Sequence, residues 1–156
     1  MKESCQPVFL IGAARSGTKL LRDIVSQHPD VEKIPYDINY IWRFGNEKLS
    51  HDELTPSLLT PQIIKRIRQQ FETYHAGRSI LIEKTVSNCL RIPFVAAVFP
   101  QAKFIHLIRH GEDVVESAYR QWIAPPDWNY IFEKARTFPL LETPGYALRY
   151  IINAIH

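Results

Sequence analysis

The sequence has only two cysteines, Cys5 and Cys89, and they form neither a CxxC pair nor a metal-ligand spacing. This usage argues against a cysteine-based metal site and favours a reducing, cytoplasmic location. No apolar run approaches the roughly 18 residues that a membrane span needs. The N-terminus also lacks a basic segment followed by a long apolar stretch, so we expect neither a secretory signal nor a membrane partner.

A strong charge of one sign is missing as well. Nineteen lysines and arginines against sixteen aspartates and glutamates leave a net charge of +3. That balance is far from the composition of a nucleic-acid-binding domain, so we expect no nucleic-acid partner. A mildly positive chain is compatible with an anionic small ligand.

The composition that is present is typical of a soluble globular protein. The 156 residues are 46% apolar and 22% charged, which excludes disorder and predicts one domain over 1–156. The last amphipathic pattern, at 146–155, is helical and has neither a cap nor a following strand. We therefore expect a single domain that lacks its C-terminal part.

Short apolar segments alternate with helical periodicities along the chain. Thr60 is the predicted N-cap of one helix, with Pro61 in its first turn. The aromatic-rich segment 31–50 is predicted to form a packed loop or short helices. Strands alternating with helices predict an α/β fold of three layers, with a central parallel sheet flanked by helices. The predicted strands are 7–12, 79–84 and 103–109, and the predicted helices are 20–25, 61–75, 88–99 and 112–122.

A glycine-containing turn connects the first strand to the first helix and carries many anion-binding groups. Gly12 and Gly17 let the backbone turn tightly and approach a ligand. The helix that follows offers unpaired N–H groups and the positive end of its dipole. These groups predict a phosphate or sulfate site. The polar side chains of the turn are those of Arg15, Ser16, Thr18 and Lys19.

The turn differs from a Walker A loop, G-x-x-x-x-G-K-[ST], because Thr18 follows the second glycine and Lys19 comes one residue later. A P-loop NTPase also needs an aspartate that organises magnesium. The other strands instead end in basic residues, Lys84 and Arg109. Side-chain cations in place of a metal are the preferred interpretation. The alternatives are a P-loop kinase or NTPase with an atypical phosphate loop and a non-catalytic nucleotide-binding fragment.

Two segments together resemble the sulfotransferases that use 3′-phosphoadenosine 5′-phosphosulfate (PAPS). The segment 9–22, FLIGAARSGTKLLR, resembles their 5′-phosphosulfate loop. The segment 104–117, FIHLIRHGEDVVES, resembles their 3′-phosphate motif, in which an arginine precedes a serine by eight residues. The resemblance implies a P-loop-like fold, PAPS as co-substrate and no metal. The donor-binding residues that it implies are Arg15, Ser16, Gly17, Thr18, Lys19, Arg109 and Ser117.

The resemblance also implies which residues carry the chemistry. Arg15 is assigned as the cation near the bridging oxygen of PAPS. Lys84 is assigned as the lysine that approaches the sulfate. The tyrosyl-protein members have a glutamate after a His-Pro-Asp-Val segment, which this chain has at 28–31. Counted from Arg15, the position equivalent to that glutamate falls on Tyr36. With a shift of one residue, we choose the neighbouring Asp37 as the catalytic base.

The predicted function is transfer of a sulfuryl group from PAPS to a hydroxyl or amine on a small molecule, a glycan or a peptide. Such transfer resembles phosphoryl transfer, in which positioning and charge stabilisation supply most of the catalysis. The clustered cations suit that chemistry. The identity of the base stays open between Asp37 and two alternatives, Glu83 and His110.

Overall fold

The computed structural model describes residues 5–125, so the helical pattern at 146–155 lies outside the described residues. The chain divides into two compact units, Met1–Gln121 and Trp122–His156. The candidate site described below lies within the first unit. The single domain expected over 1–156 stays a prediction.

Four parallel strands form one sheet in the described part of the chain. They are β1 (Gln6–Ile11), β2 (Val31–Lys33), β3 (Ile80–Glu83) and β4 (Lys103–His106). Their order across the sheet is β2-β3-β1-β4. Phe9 of β1 pairs with Glu83 of β3, and Ile11 of β1 pairs with His106 of β4. The predicted α/β fold with a central parallel sheet is therefore confirmed.

Five α-helices accompany the sheet within residues 5–125. None of them is both long and apolar enough to cross a membrane. At the start of the third helix, Thr60 Oγ1 accepts a hydrogen bond from the Ile63 amide at 3.2 Å, so the predicted cap is confirmed. The helices are α1 (Thr18–Val25), α2 (Asn39–Trp42), α3 (Pro61–Thr73), α4 (Ile92–Val98) and α5 (Gly111–Ile123).

The helix predicted at 88–99 is wrong at its start. A short 3₁₀ helix covers Val86–Leu90, and α4 begins only at Ile92. Pro93 lies in the first turn of α4, as predicted. The break falls at Arg91, whose φ of −143° and ψ of 33° are not helical. Pro93 lacks an N–H, and in a continuous helix its ring would clash with the carbonyl four residues earlier.

Strand β2 lies in the segment for which the sequence predicts a loop or short helices. Two of its three residues are charged, so the segment has no apolar alternation to indicate a strand. Its conformation is fixed by pairing with β3, in which Val31 is opposite Ile80 and Lys33 is opposite Ile82.

The inner strand β1 is covered on both faces, as its alternating side chains show. Phe9 and Ile11 belong to a cluster that includes residues of α2, α3 and α4. Val8 and Leu10 point to the other face and belong to a second cluster, against which Leu21 of α1 packs. The predicted three-layer arrangement is therefore confirmed, and the carboxyl ends of the strands are left to form loops.

Candidate active site

Three neighbouring strands end at the same edge of the sheet and carry the predicted site residues there. The parallel strands β1, β3 and β4 lead into the segments 12–17, 84–85 and 107–110, respectively. The Leu107 amide donates to the Ile11 carbonyl at 2.8 Å, so the ends of β1 and β4 stay together. Ligands of open α/β sheets bind at this edge.

The turn after β1 requires glycine at its first position. A Cβ on Gly12 would lie 2.8 Å from the Leu107 carbonyl oxygen and 2.8 Å from Ser16 Oγ. The Ser16 hydroxyl is buried and donates to the Ala13 carbonyl at 2.7 Å. The hydrogen bond of the Ser16 hydroxyl therefore stabilises the turn. Because Gly12 has no side chain, the backbone of the turn can lie close to the sheet edge.

The backbone at the end of the turn is held in an unusual conformation. Arg15 has a φ of 66°, in the left-handed region that residues other than glycine seldom adopt. Gly17, the N-cap of α1, has a φ of 97° and supplies no capping side chain. The first amides of α1 thus have neither a capping side chain nor an acidic residue in the first turn, and Lys19 lies exposed beside them. This arrangement suits a bound anion.

The two segments of the resemblance are in contact. Arg109 Nη1 donates to the backbone carbonyl of Arg15 at 3.0 Å. In return, Arg15 Nε donates to Ser117 Oγ on α5 at 3.1 Å. Arg109 is further oriented by Asp113, whose carboxylate lies 3.8 Å from Arg109 Nε. Two guanidinium groups and one hydroxyl are therefore gathered next to the start of α1.

Lys84 and Asp37 form an ion pair at the neighbouring strand ends. Lys84 Nζ lies 2.5 Å from Asp37 Oδ1. The Lys84 side chain is 11% exposed and that of Asp37 is 33% exposed, so the carboxylate can be reached from solvent. Because Lys84 follows Glu83, the partner of Phe9 in β1, the pair lies beside the strand that leads into the anion-binding turn.

The loop that carries Asp37 is fixed to the first helix by a buried arginine. Arg22 of α1 is only 4% exposed. Its Nη1 donates to the carbonyls of Ile34 at 3.2 Å and Pro35 at 2.6 Å, and its charge is balanced by Asp23 at 2.9 Å. The anion-binding helix and the Asp37 loop are thus positioned by one side chain.

The two alternative bases have very different surroundings. Glu83 is 1% exposed, and its two oxygens accept hydrogen bonds from the Thr85 hydroxyl and, at 2.8 Å, from Asn88 Nδ2. Burial raises the pKa of Glu83 to about 7, with Asp37 raising it further and the Thr85 hydrogen bond and Arg91 opposing the shift. Glu83 therefore cannot reach an acceptor. His110 is exposed and precedes α5.

A polar network supports this edge from the interior. The buried Arg91 donates to Asn88 Oδ1 at 2.8 Å and to Asn39 Oδ1 at 2.5 Å, and burial lowers its pKa to about 10. Asn39 donates to Asp52 at 3.1 Å. Hydrogen bonds from Arg43, Ser87 and Asn39 outweigh the burial of Asp52 and lower its pKa to about 2.

The raised pKa of Glu83 predicts how stability depends on pH. Between about 4.5 and about 7 the folded chain keeps a proton on Glu83 that the unfolded chain has released. The free energy of unfolding should therefore fall as the pH rises through this window, by up to about 3 kcal/mol at 1.36 kcal/mol per pKa unit. Urea unfolding at several pH values measures this slope.

The variant Glu83→Gln removes the titrating group and should flatten that slope. Glu53→Gln, at an exposed position, is the matched control and should keep it. A slope that survives in Glu83→Gln would show that another group titrates.

Sequence reasoning overlooked three residues that position the site, namely Arg22, Thr85 and Arg91. Arg22 is at the end of the resembling segment 9–22, and Thr85 directly follows Lys84. Their positions next to assigned residues are the signal that could have indicated a role. Arg91 gives no such signal, because its burial depends on partners that are distant in sequence, such as Asn39.

Sequence comparison finds related proteins. Residues 7–137 match the sulfotransferase family. The chain is 30% identical over 121 residues to protein-tyrosine sulfotransferase 1 of Danio rerio, an alignment that covers 70% of this chain and 34% of the relative. It is 27% identical over 121 residues to the Mus musculus protein of the same name, with 70% and 33% covered.

A bacterial protein is similar too. The chain is 28% identical over 135 residues to an uncharacterized protein of Aquifex aeolicus, covering 76% of this chain and 17% of that protein. The chain therefore spans about a third of the length of the two tyrosine sulfotransferases and less of the bacterial relative.

Proposed function

This chain belongs to the sulfotransferase family, and from that premise we propose that it transfers a sulfuryl group from PAPS to a hydroxyl or amine. The observation that carries the proposal is the contact between the two resembling segments. Arg109 binds the Arg15 carbonyl, and Arg15 binds Ser117, so groups suited to the two ends of one adenosine bisphosphate lie together. A guanidinium binds a phosphate through two parallel hydrogen bonds.

Different residues of the site bind the two ends of the donor. The turn 12–17 and the first amides of α1 hold the phosphosulfate, with Arg15 and Lys19 adding positive charge. Arg109 and Ser117 hold the 3′-phosphate. The proximity of Arg15 to the α1 N-terminus also allows it to stabilise the charge that builds on the leaving phosphate.

The transfer itself is an in-line displacement at sulfur. The acceptor oxygen or nitrogen forms a bond to sulfur while the bond from sulfur to the bridging oxygen of PAPS breaks. Asp37 takes the proton of the acceptor, and Lys84 stabilises the sulfuryl oxygens during transfer. The electron pair of the broken bond leaves with 3′-phosphoadenosine 5′-phosphate (PAP).

The acceptor is proposed to be a small molecule, a glycan or a peptide. Two relatives are named for tyrosine in proteins, so a peptide containing tyrosine is the first acceptor to test. The exposed fraction of Asp37, 33%, leaves the carboxylate accessible to such a hydroxyl.

Binding of PAP tests the proposal. We expect PAP without magnesium to raise the melting temperature of the 156-residue chain, and AMP, which lacks the 3′-phosphate, to bind more weakly. Arg109→Ala should weaken PAP binding about 10- to 100-fold, the loss expected for a hydrogen bond to a charged group, and should weaken AMP binding much less.

The control is Arg120→Ala on α5, the helix that follows Arg109, because Arg120 is exposed and forms an i,i+4 ion pair with Glu116. Equal binding of PAP and AMP by the wild-type chain would contradict the proposal. Stabilisation by ATP with magnesium and not by PAP would favour a P-loop kinase or NTPase.

A further inference from the structure

One buried hydroxyl connects the segment that carries Asp37 to the segment that carries Lys84. Thr85 Oγ1 accepts a hydrogen bond from the Ile38 amide at 2.9 Å and donates one to Glu83 Oε1. Thr85 is only 2% exposed, so water does not readily replace either bond. Ile38 directly follows Asp37, and Thr85 directly follows Lys84. The hydroxyl therefore connects the backbone next to Asp37 with the backbone next to Lys84.

The direction of this hydroxyl is fixed by its neighbours. A hydroxyl has one hydrogen. When Glu83 is ionised it accepts that hydrogen, and the lone pairs of Thr85 Oγ1 face the Ile38 amide. Glu83 is held in turn by Asn88 Nδ2 at 2.8 Å. Asn88 cannot reverse its amide, because its Oδ1 accepts from Arg91 Nε at 2.8 Å. A chain of bonds thus runs from the buried Arg91 to the loop that carries Asp37.

The ion pair alone does not fix the position of Asp37. Its side chain is one-third exposed, and partly exposed ion pairs of flexible side chains hold geometry weakly. The backbone before Asp37 is anchored by Arg22 through the carbonyls of Ile34 and Pro35. The bond from the Ile38 amide to Thr85 supplies the anchor on the other side.

We propose that Thr85 is a positioning residue, whose hydroxyl holds Asp37 in place beside Lys84 for proton transfer from the acceptor. The inference rests on the proposed sulfuryl transfer and deepens it. Thr85 acts through the backbone of Ile38 and does not itself contact donor or acceptor. Misplacement of a reacting group by about 1 Å can lower a rate about 100-fold, so loss of one anchor of the loop is expected to reduce turnover.

The pair of variants Thr85→Val and Thr85→Ser tests the role of the hydroxyl. Valine keeps the shape of threonine and removes the hydroxyl, whereas serine keeps the hydroxyl and removes a methyl group. We expect Thr85→Val to lower kcat for transfer from PAPS about 10- to 100-fold while KM for PAPS changes less than about twofold, because the donor site does not include the hydroxyl. Thr85→Ser should retain most of the wild-type kcat.

Two outcomes would overturn the proposal. One is a Thr85→Val enzyme with the kcat of Thr85→Ser. The other is a Thr85→Val enzyme whose kcat and affinity for PAP fall together, which would indicate general disruption. If Thr85→Val does not fold, Thr85→Ala replaces it, and a kcat of Thr85→Ala equal to that of Thr85→Ser would contradict the proposal.

Hydrogen exchange of the Ile38 amide separates this proposal from the proposed function. We expect the amide to be protected in the wild type and in Thr85→Ser, and to exchange faster in Thr85→Val. Equal protection in all three chains overturns the anchoring role whether or not the chain transfers sulfate. Failure of PAP to bind the wild type would instead contradict the donor site and leave the exchange result readable.

Discussion

Arg15→Ala should lower kcat about 100- to 1,000-fold, the loss typical for removal of a group that stabilises transition-state charge. Arg15 lies at the end of the anion-binding turn, and its guanidinium is the charge that we assign to the bridging oxygen of PAPS. The fold should be retained, because the side chain is exposed and its described hydrogen bond is to the Ser117 hydroxyl. The backbone carbonyl that Arg109 binds is present in the variant as well.

The measurement is the initial rate with PAPS and a tyrosine-containing peptide, together with a thermal melt of each chain. Arg15→Lys should recover part of the rate, because it restores the charge but not the planar pair of donors. Arg120→Ala again serves as the arginine control. Turnover like that of the wild type in Arg15→Ala would remove Arg15 from the mechanism.

Asp37→Asn should reduce kcat about 100- to 10,000-fold, the range that general base catalysis contributes. The amide preserves the size of the side chain but cannot take a proton from the acceptor. PAP should still bind, because the residues that we assign to the donor lie on the turn after β1 and on the segment from Arg109 to Ser117.

Two further variants give this experiment its controls. Asp30→Asn changes an exposed aspartate just before β2 and should leave kcat unchanged. Tyr36→Phe tests the residue that the direct count from Arg15 reaches. If Tyr36→Phe loses activity while Asp37→Asn keeps it, the assignment of the base by a shift of one residue is wrong.

The sequence predicts those parts of the fold whose signals are local. The apolar run of β1 indicates a strand buried on both faces, and Phe9 and Leu10, which point to opposite faces, are both almost fully buried. The Thr60 cap is likewise a short-range contact. Strand β2 cannot be predicted in this way, because its three residues become a strand only through pairing with β3.

The residues of the candidate site also divide into those with local sequence signals and those that depend on distant partners. The turn around Arg15 could be recognised from adjacent residues, and its role in donor binding stays a prediction. The ion pair of Asp37 and Lys84 joins residues 47 positions apart, so the sequence alone could not show that they meet. The burial of Asn88 and Arg91 was equally hidden, since polar residues are mostly exposed and their partners here come from other elements.

The contacts between the two resembling segments form a closed ring. It passes from the Arg15 guanidinium to Ser117, back along α5 and the two residues before it to Arg109, and through the Arg109 guanidinium to the Arg15 carbonyl. Sites that share partners in this way are thermodynamically coupled, and the effects of changing them are not additive. The binding free energy of a nucleotide that contacts both halves of the ring should therefore differ from the sum of the binding free energies of its separate fragments.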